Sequence, residues 1–312
     1  MSEAGALPRV TIVVPAYNAA ETLAETLASL VTQTYANLEV VVVDDGSRDS
    51  TAALARQICE EHPRLLRYVH QANGGQAAAV NNGWKQATGV YLGYLSADDV
   101  LYPTALAELV GFLEKNSAID IVYPDYDLID ATSRVIRRVN APDFDAHQLV
   151  EHSVCQPGPG ALFRKSVFES TGGWSTSLRL TPDFDFWVRA CRSSELARLP
   201  LALAGFRVHE ESQTFAAPSE DKSEELPKVI GSFLASDVQK RFRHQRAMAW
   251  AHVLSARLHL RGGRRARALT HLRSALASER AVLLHLRFWH LLLSGAFGQL
   301  RYRLRYITRK KS

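Results

Sequence analysis

The sequence predicts an α/β fold: a mostly parallel central sheet with helices on both faces, followed by a helical appendage. Three observations predict it. Apolar β-rich runs alternate with helix-patterned segments from residue 9 to 115, joined by short links. Two of the runs stop abruptly in carboxylates, Asp44-Asp45 after LEVVVV and Asp98-Asp99 after GVYLGYLSA. The charge also breaks near residue 240. Residues 240–312 hold 18 Lys or Arg against one acid, Glu279, a net +17, whereas residues 1–239 hold 19 basic and 31 acidic residues, a net −12.

Taken in order, RVTIVVP (9–15) reads as a buried strand, and Leu23, Leu27, Leu30 and Val31 give 21–33 a helical stripe. Residues 38–43 form the next strand, and Ser47, Asp49 or Ser50 can cap a helix running to about residue 61. LLRYV (65–69) is a third strand, Gly74-Gly75 opens a helix to about Gln86, and 90–95 is a fourth strand. Pro103 suits the first position of a helix through LAELVGFLEK. IDIVYPDYDLID and RVIRRV (119–139) suggest strands paired antiparallel. After residue 140 the alternation fades, with turn signals at QPGPGALF (156–163) and TGGW (171–174). From residue 222 the signal is helical, with a Gly-Gly break inside 251–277. The expected division is therefore an α/β domain over 1–220 and a basic helical region over 221–312.

The bulk numbers narrow the class. The chain of 312 residues is 46% apolar, ordinary for a globular protein. Cys59, Cys155 and Cys191 are odd in number and lack CxxC spacing, so reduced thiols and a cytoplasmic setting are expected. No basic region precedes an apolar stretch at the start, which argues against a secretory signal. FWHLLLSGAFGQL (288–300) is uncharged but only 13 residues long, short of the roughly 20 that cross a bilayer.

Carboxylates at the carboxyl edge of an α/β sheet stand where ligands bind in such folds. Pro15 ends the first strand and leaves Ala16, Tyr17 and Asn18 in a loop, where Tyr17 can stack on a base and nearby backbone groups can bond its edge. In DDGSRDST (44–51) a strand-end carboxylate can accept an imide N–H or bond a ribose; Asp49 and Ser50 can equally be helix caps. In NGGQAAAVNNG (73–83), Gly75 offers backbone N–H groups at a helix start, which favours anions. Asp98 and Asp99 supply paired hard oxygen ligands, the kind Mg²⁺ and Mn²⁺ prefer. Trp174 reads equally as a sugar-stacking ring or a core aromatic.

The ordered set VVPAYN, VVVDDGSRDST, NGGQAAAVNNG, YLGYLSADD, TGGW, PDFDFWVRA and RVHEES resembles a family 2 glycosyltransferase with the GT-A fold, over about residues 8–215. The resemblance implies a nucleotide-diphosphate sugar donor, UDP-linked by default, a divalent cation (Mn²⁺ or Mg²⁺) and inversion at the anomeric carbon. By position, it implies that Pro15, Tyr17, Asn18, Asp45, Gly75 and Asp98 meet the nucleotide sugar. It implies metal ligation by Asp98 and Asp99 with His209 beside the diphosphate or metal. Gly173 and Trp174 would lie beside the sugar or acceptor. Asp183 in PDFDFWVRA matches the catalytic base, with Pro182 replacing the usual preceding acid. Ser96 stands where many relatives carry a further Asp. Asp185, two residues on, is the weaker candidate for base and the better one for a structural role.

The implied acceptor is a hydroxyl of a surface or cell-wall glycan or a lipid-linked glycan. Interleaved basic and apolar residues such as RYRLRYITRKK (301–311) suggest that 240–312 meets an anionic membrane surface, peripherally at its inner face. A partner protein is the next expectation, and nucleic acid the least. Two other classes compete. A nucleotidyltransferase would carry a basic Gly-rich phosphate loop after the first strand, and PAYNAAETL has no basic residue. A non-catalytic nucleotide-sugar or glycan-binding relative would bind donor without forming product.

Overall fold

The computed structural model describes residues 7–208, 217–237 and 240–302. The chain divides into two compact units. One comprises the described residues up to Phe144 with Gln156–Val208; the other comprises Asp145–Cys155 with the described residues after Val208.

The first unit is built on strand–helix alternation: β1 (Val10–Ala16), α1 (Leu23–Val31), β2 (Leu38–Asp44), α2 (Thr51–Glu61), β3 (Leu66–His70), α3 (Gln76–Lys85) and β4 (Tyr91–Tyr94). The four strands are parallel, in the order β3-β2-β1-β4. Every residue of β1 and β2 is buried, which explains why these runs are continuously apolar rather than alternating. Polar Thr11 and Glu39 survive inside because they bond each other at 2.8 Å, and Glu39 also accepts from Thr88. Leu23, Leu27 and Leu30 of α1 pack on one face with Val10, Ile12, Val14, Val40 and Val42.

Beyond β4 the sheet becomes mixed. It continues through β5 (Val100–Leu101), α4 (Ala105–Lys115), β6 (Ile121–Ile129) and β7 (Val135–Val139). After α5 (Ala146–Glu151), which belongs to the second unit, come β8 (Leu162–Arg164), α6 (Lys165–Thr171), α7 (Pro182–Ala190) and β9 (Leu196–Arg207). The β6–β7 pair is antiparallel, as the sequence suggests. Pro103, in contrast, lies before the N-cap Thr104 of α4; the proline at a helix start is Pro182 of α7.

The 12-residue strand β9 has no clear pattern in the sequence. It lies between β6 and β5, parallel to β6. Its register slips where Pro124 pairs Leu199 and Asp125 pairs Ala202, so Pro200 sits in the bulge. A proline is tolerated there because no ladder hydrogen bond is asked of it.

The second unit is helical after α5: α8 (Glu220–Ser223), α9 (Glu225–Ala235), α10 (His244–Arg261), α11 (Arg265–Ser278), a short 3₁₀ turn at Arg280–Leu284, and α12 (Leu286–Tyr302). Gly262 and Gly263 break α10 from α11, as the Gly-Gly pair predicts, and Gly263 adopts φ +73°. Trp250, Val253, Ala275, Val282, Phe288 and Leu291 form its core. Among the described residues no helix is long and apolar enough to cross a membrane.

Candidate active site

The parallel strands set the site's floor. Ala16 pairs Asp44 and Asp44 pairs His70, so the carboxyl ends of β1, β2 and β3 form one edge. Buried Pro15 and Ala16 are the last residues of β1, so the strand runs one residue beyond the proline; just past that edge come Tyr17, which is exposed, and Asn18, which takes φ +49°. Asn18 ties its loop to the loop after β2: its N–H donates to Ser47 Oγ at 3.1 Å and its Oδ1 accepts from Arg48 N at 2.8 Å. Ala19 N donates to Thr51 Oγ1 at 2.7 Å. Two loops that could each wander are held together beside the exposed Tyr17 ring. Asp49 accepts from Thr51 N at 3.0 Å, so it is a helix-start residue.

The first aspartate pair divides its work. Asp44 is fully buried and accepts from Ser47 N, Tyr68 Oη and His70 Nδ1 at 2.9–3.0 Å. Burial raises its pKa, but the bonds from Ser47, His70 and Tyr68 outweigh that and hold it below the usual carboxylate range. Asp45, also buried, accepts from Gln71 Nε2 at 2.7 Å, Gly74 N at 2.8 Å and Gly75 N at 2.7 Å. The Gly75 N–H is therefore not an open anion donor, as the helix start suggested; the Asp45 carboxylate already occupies it. Asp45 shapes the α3 entry as well as lining the edge.

Gly75 also shows why glycine stands there. Its φ and ψ of 87° and 166° fall in a region only glycine adopts readily, and Arg179 Nη1 lies 1.8 Å from where a Cβ would be. Arg179, which carried no motif in the sequence, donates to Gly74 O at 2.6 Å and brings a cation to the α3 N-terminus. Gly75→Ala is expected to cost about 2 kcal/mol of stability. Chemical denaturation of the variant measures this, and an unchanged midpoint would contradict the backbone assignment.

The second pair is held by β9. Asp99 is buried; its Oδ1 accepts from Arg207 N at 2.9 Å and its carbonyl from Thr26 Oγ1 at 2.8 Å. Burial, then the neighbouring Asp98 charge, push the Asp99 carboxyl well above its ordinary pKa, despite Arg207. Arg207, itself buried, donates from Nε to Asp98 O at 2.8 Å, from Nη1 to Asp130 O at 2.9 Å and from Nη2 to Glu25 at 2.7 Å. One guanidinium thus spans α1, the Asp98-Asp99 turn and the β6–β7 turn. Two adjacent carboxylates, one of them buried, are a donor set of hard oxygens that a dication would relieve of mutual repulsion. The residues present fit Mn²⁺ or Mg²⁺. His209, expected nearby as a third ligand, lies outside the described residues.

Asp183 and Asp185 share the first turn of α7, and the helix dipole favours carboxylates there. Asp185 is ion-paired to Arg189 at 2.7 Å, four residues on, and Arg189 also donates to Thr171 O and Gly173 O, each at 2.6 Å. Asp185 therefore orients the 171–173 loop, in line with a structural role. Asp183 is partly exposed at the second helical position, after Pro182.

Gly173 takes φ +85°, and a Cβ there would lie 2.4 Å from Asn81 Oδ1. Asn81 brackets Trp174, accepting from its N–H at 2.8 Å and donating to its carbonyl at 2.7 Å. The Trp174 ring is 3% exposed and packs edge-on against Trp84 and Tyr94, with centroids at 5.8 Å and 4.7 Å. Its faces are spent in the core, so the sugar-stacking role expected of Trp174 is corrected to a packing role. Asn81 and Arg189 lie inside the motifs NGGQAAAVNNG and PDFDFWVRA, but the sequence assigned neither a role.

A second cluster lies in the helical unit. Glu224 Oε1 is 3.0 Å from both His259 Nε2 and His271 Nε2, near enough together to hold an ion. Arg264 Nε, however, donates to His259 Nδ1 at 3.0 Å, which leaves the proton on Nε2, aimed at Glu224. Metal-bound imidazole needs that lone pair, so the cluster is a self-satisfied hydrogen-bond network. Burial first, then the charge of His271, lower the His252 pKa below 6.5; burial outweighs Glu224 to lower His259. The unfolded chain then takes up protons near pH 6.5 that the folded one refuses, so stability falls as pH drops below that value. Melting at about pH 5.5 should come at lower temperature than at about pH 7.5. A melting temperature that rises on acidification would contradict this reading.

A four-strand parallel edge lined with carboxylates, extended by a mixed half that returns an arginine to the acidic turn, defines the class as a GT-A-type glycosyltransferase fold. Solved structures agree on the fold. S. aureus TarS 1–349 in complex with UDP-GlcNAc aligns with TM-score 0.64 and 20% identity over 88% of this chain and 92% of that one. The mannosyltransferase PcManGT from Pyrobaculum calidifontis, in complex with GDP-Man and Mn²⁺, aligns with TM-score 0.63 and 22% identity over 96% and 88%.

The chain belongs to glycosyl transferase family 2, whose sequence profile matches residues 11–172. An uncharacterized glycosyltransferase of Rickettsia prowazekii is 32% identical over 218 residues, 67% of each chain. The chondroitin synthase of Escherichia coli is 29% identical over 184 residues, 59% of this chain and 26% of that one. The protein is therefore a glycosyltransferase.

Proposed function

We propose that the protein transfers a sugar, with inversion, from a nucleotide-diphosphate sugar to a hydroxyl of a glycan or lipid-linked glycan. UDP is the default nucleotide. The observation that supports the catalytic assignment is the ion pair of Asp185 with Arg189, which gives that acid a structural task and leaves Asp183, in the first turn of α7 and at the position that matches the family's base, as the candidate. Asp183 accepts the proton of the acceptor hydroxyl as that oxygen bonds to C1 and the C1–diphosphate bond breaks. Tyr17 stacks on the base, and the loops joined by Asn18 enclose the ribose side with Asp45. Asp98 and Asp99 hold Mn²⁺ or Mg²⁺, which when bound stabilises the charge that develops on the leaving diphosphate.

A glycan acceptor is supported by the similarity to a chondroitin synthase. The donor is found by thermal shift with a panel of nucleotide sugars in the presence of Mn²⁺, since a ligand that binds only the native state raises the melting temperature. A shift with one nucleotide family, followed by product with a glycan acceptor, is expected. A shift without product from any acceptor would favour a binding relative instead.

A further inference from the structure

Helix α12 has two apolar faces and only one of them is covered. Phe288 and Leu291 are buried against Trp250 and Val253 of α10, and Gly295 lies so close that a Cβ would come 2.9 Å from Arg257 O. On the opposite side Leu286, Trp289 and Leu293 are 88%, 52% and 58% exposed. At 100° per residue these three fall within about 60° of one another, so they form a stripe rather than scattered points. The stripe continues into the preceding 3₁₀ turn, where Leu284 is 86% exposed and Trp289 Nε1 donates to Leu283 O at 3.0 Å. That bond satisfies the indole's one polar group and leaves its apolar body outward. Single exposed leucines are ordinary, but a contiguous run of large ones marks a surface that meets something.

Charge identifies what it meets. Residues 280–312 contain eight Lys or Arg and no Asp or Glu. Two copies of so basic a segment brought together would repel, which disfavours a second copy as the cover. A surface dense in negative charge with an apolar layer beneath it complements both features. We propose that α12 and the preceding turn dock on an anionic lipid surface, with Leu284, Leu286, Trp289 and Leu293 entering the acyl boundary and the net positive charge of residues 280–312 drawing the segment to anionic headgroups. The helix of 17 residues is about 25 Å long and lies in the plane of the interface.

The test is flotation of the full chain with vesicles of phosphatidylcholine alone, or with a third of phosphatidylglycerol. The substitutions Leu284→Ser, Leu286→Ser and Leu293→Ser, made together, alter exposed side chains only, and an unchanged melting temperature checks the fold. The wild type is expected to float with anionic vesicles and not with neutral ones, and the triple variant to bind about tenfold or more weakly. Trp289 emission should shift to the blue on anionic vesicles, with the shift lost in Trp289→Phe. Equal flotation of wild type and variant would overturn the insertion of this stripe. So would the absence of flotation, or a wild-type dimer that the triple substitution dissociates.

Discussion

Asp183→Asn is expected to lower the rate of sugar transfer by about 10²–10⁴-fold, the usual contribution of a positioned general base. The amide keeps the size and hydrogen-bonding reach of the carboxylate but cannot take the acceptor's proton. Donor affinity should stay near wild type, because the proposed base acts on the acceptor and not on the nucleotide. Asp185→Asn provides the contrast. It weakens the ion pair with Arg189 and with it the hold on Thr171 O and Gly173 O. Its main expected effect is therefore on stability, with a smaller fall in rate. A steady-state comparison of the two variants decides between them, and activity of Asp183→Asn near wild type would remove the base assignment.

Arg207→Met is expected to cost about 3 kcal/mol of stability and to weaken donor binding. The ion pair with Glu25 contributes little of this, because Glu25 is half-exposed and stays solvated when its partner goes. The larger losses are the hydrogen bonds to Asp98 O and Asp130 O, whose acceptors lie around a buried guanidinium. Without them the Asp98-Asp99 turn is no longer tied to the β6–β7 turn. Arg207→Lys keeps the charge but cannot reach all of these acceptors, so it should recover only part of the stability. Denaturant unfolding and donor calorimetry measure the two effects. A wild-type midpoint for Arg207→Met would show that the arginine does not hold the turn.

The first half of the fold was legible because burial on both faces leaves a simple trace. β1 and β2 are unbroken apolar runs, and each crossover carries its own helical stripe. The aspartates were legible for the same reason: a charge that ends such a run stands at the sheet's carboxyl edge. β9 was not, since LARLPLALAGFR neither alternates nor runs continuously apolar, and its bulge at Pro200 becomes intelligible only beside β6. Arg207 was hidden because a lone arginine reads as a surface charge until the four acceptors of its guanidinium, Asp98 O, Asp130 O, Ser133 Oγ and Glu25 Oε2, surround it. Asp45 and Trp174 show a further limit. Residue type suggested what each could bind, but the N–H groups of Gly74 and Gly75 that hold the Asp45 carboxylate, and the Asn81 amide that brackets Trp174, are distant in sequence. The split of the described residues into units likewise gives α5 to the helical part, through contacts such as Arg243 N to Glu151 at 3.0 Å that no local composition reveals.

In the proposed donor site, Asp98 and Asp99 would hold a divalent cation against the nucleotide diphosphate. Calorimetric titration of UDP-GlcNAc and GDP-mannose, with and without Mn²⁺, into wild type and Asp98→Asn tests it most directly. The expected result is binding of one nucleotide family that requires Mn²⁺ and is lost in the variant, while both proteins melt at similar temperatures. Binding of equal strength without the metal, unchanged by Asp98→Asn, would contradict it.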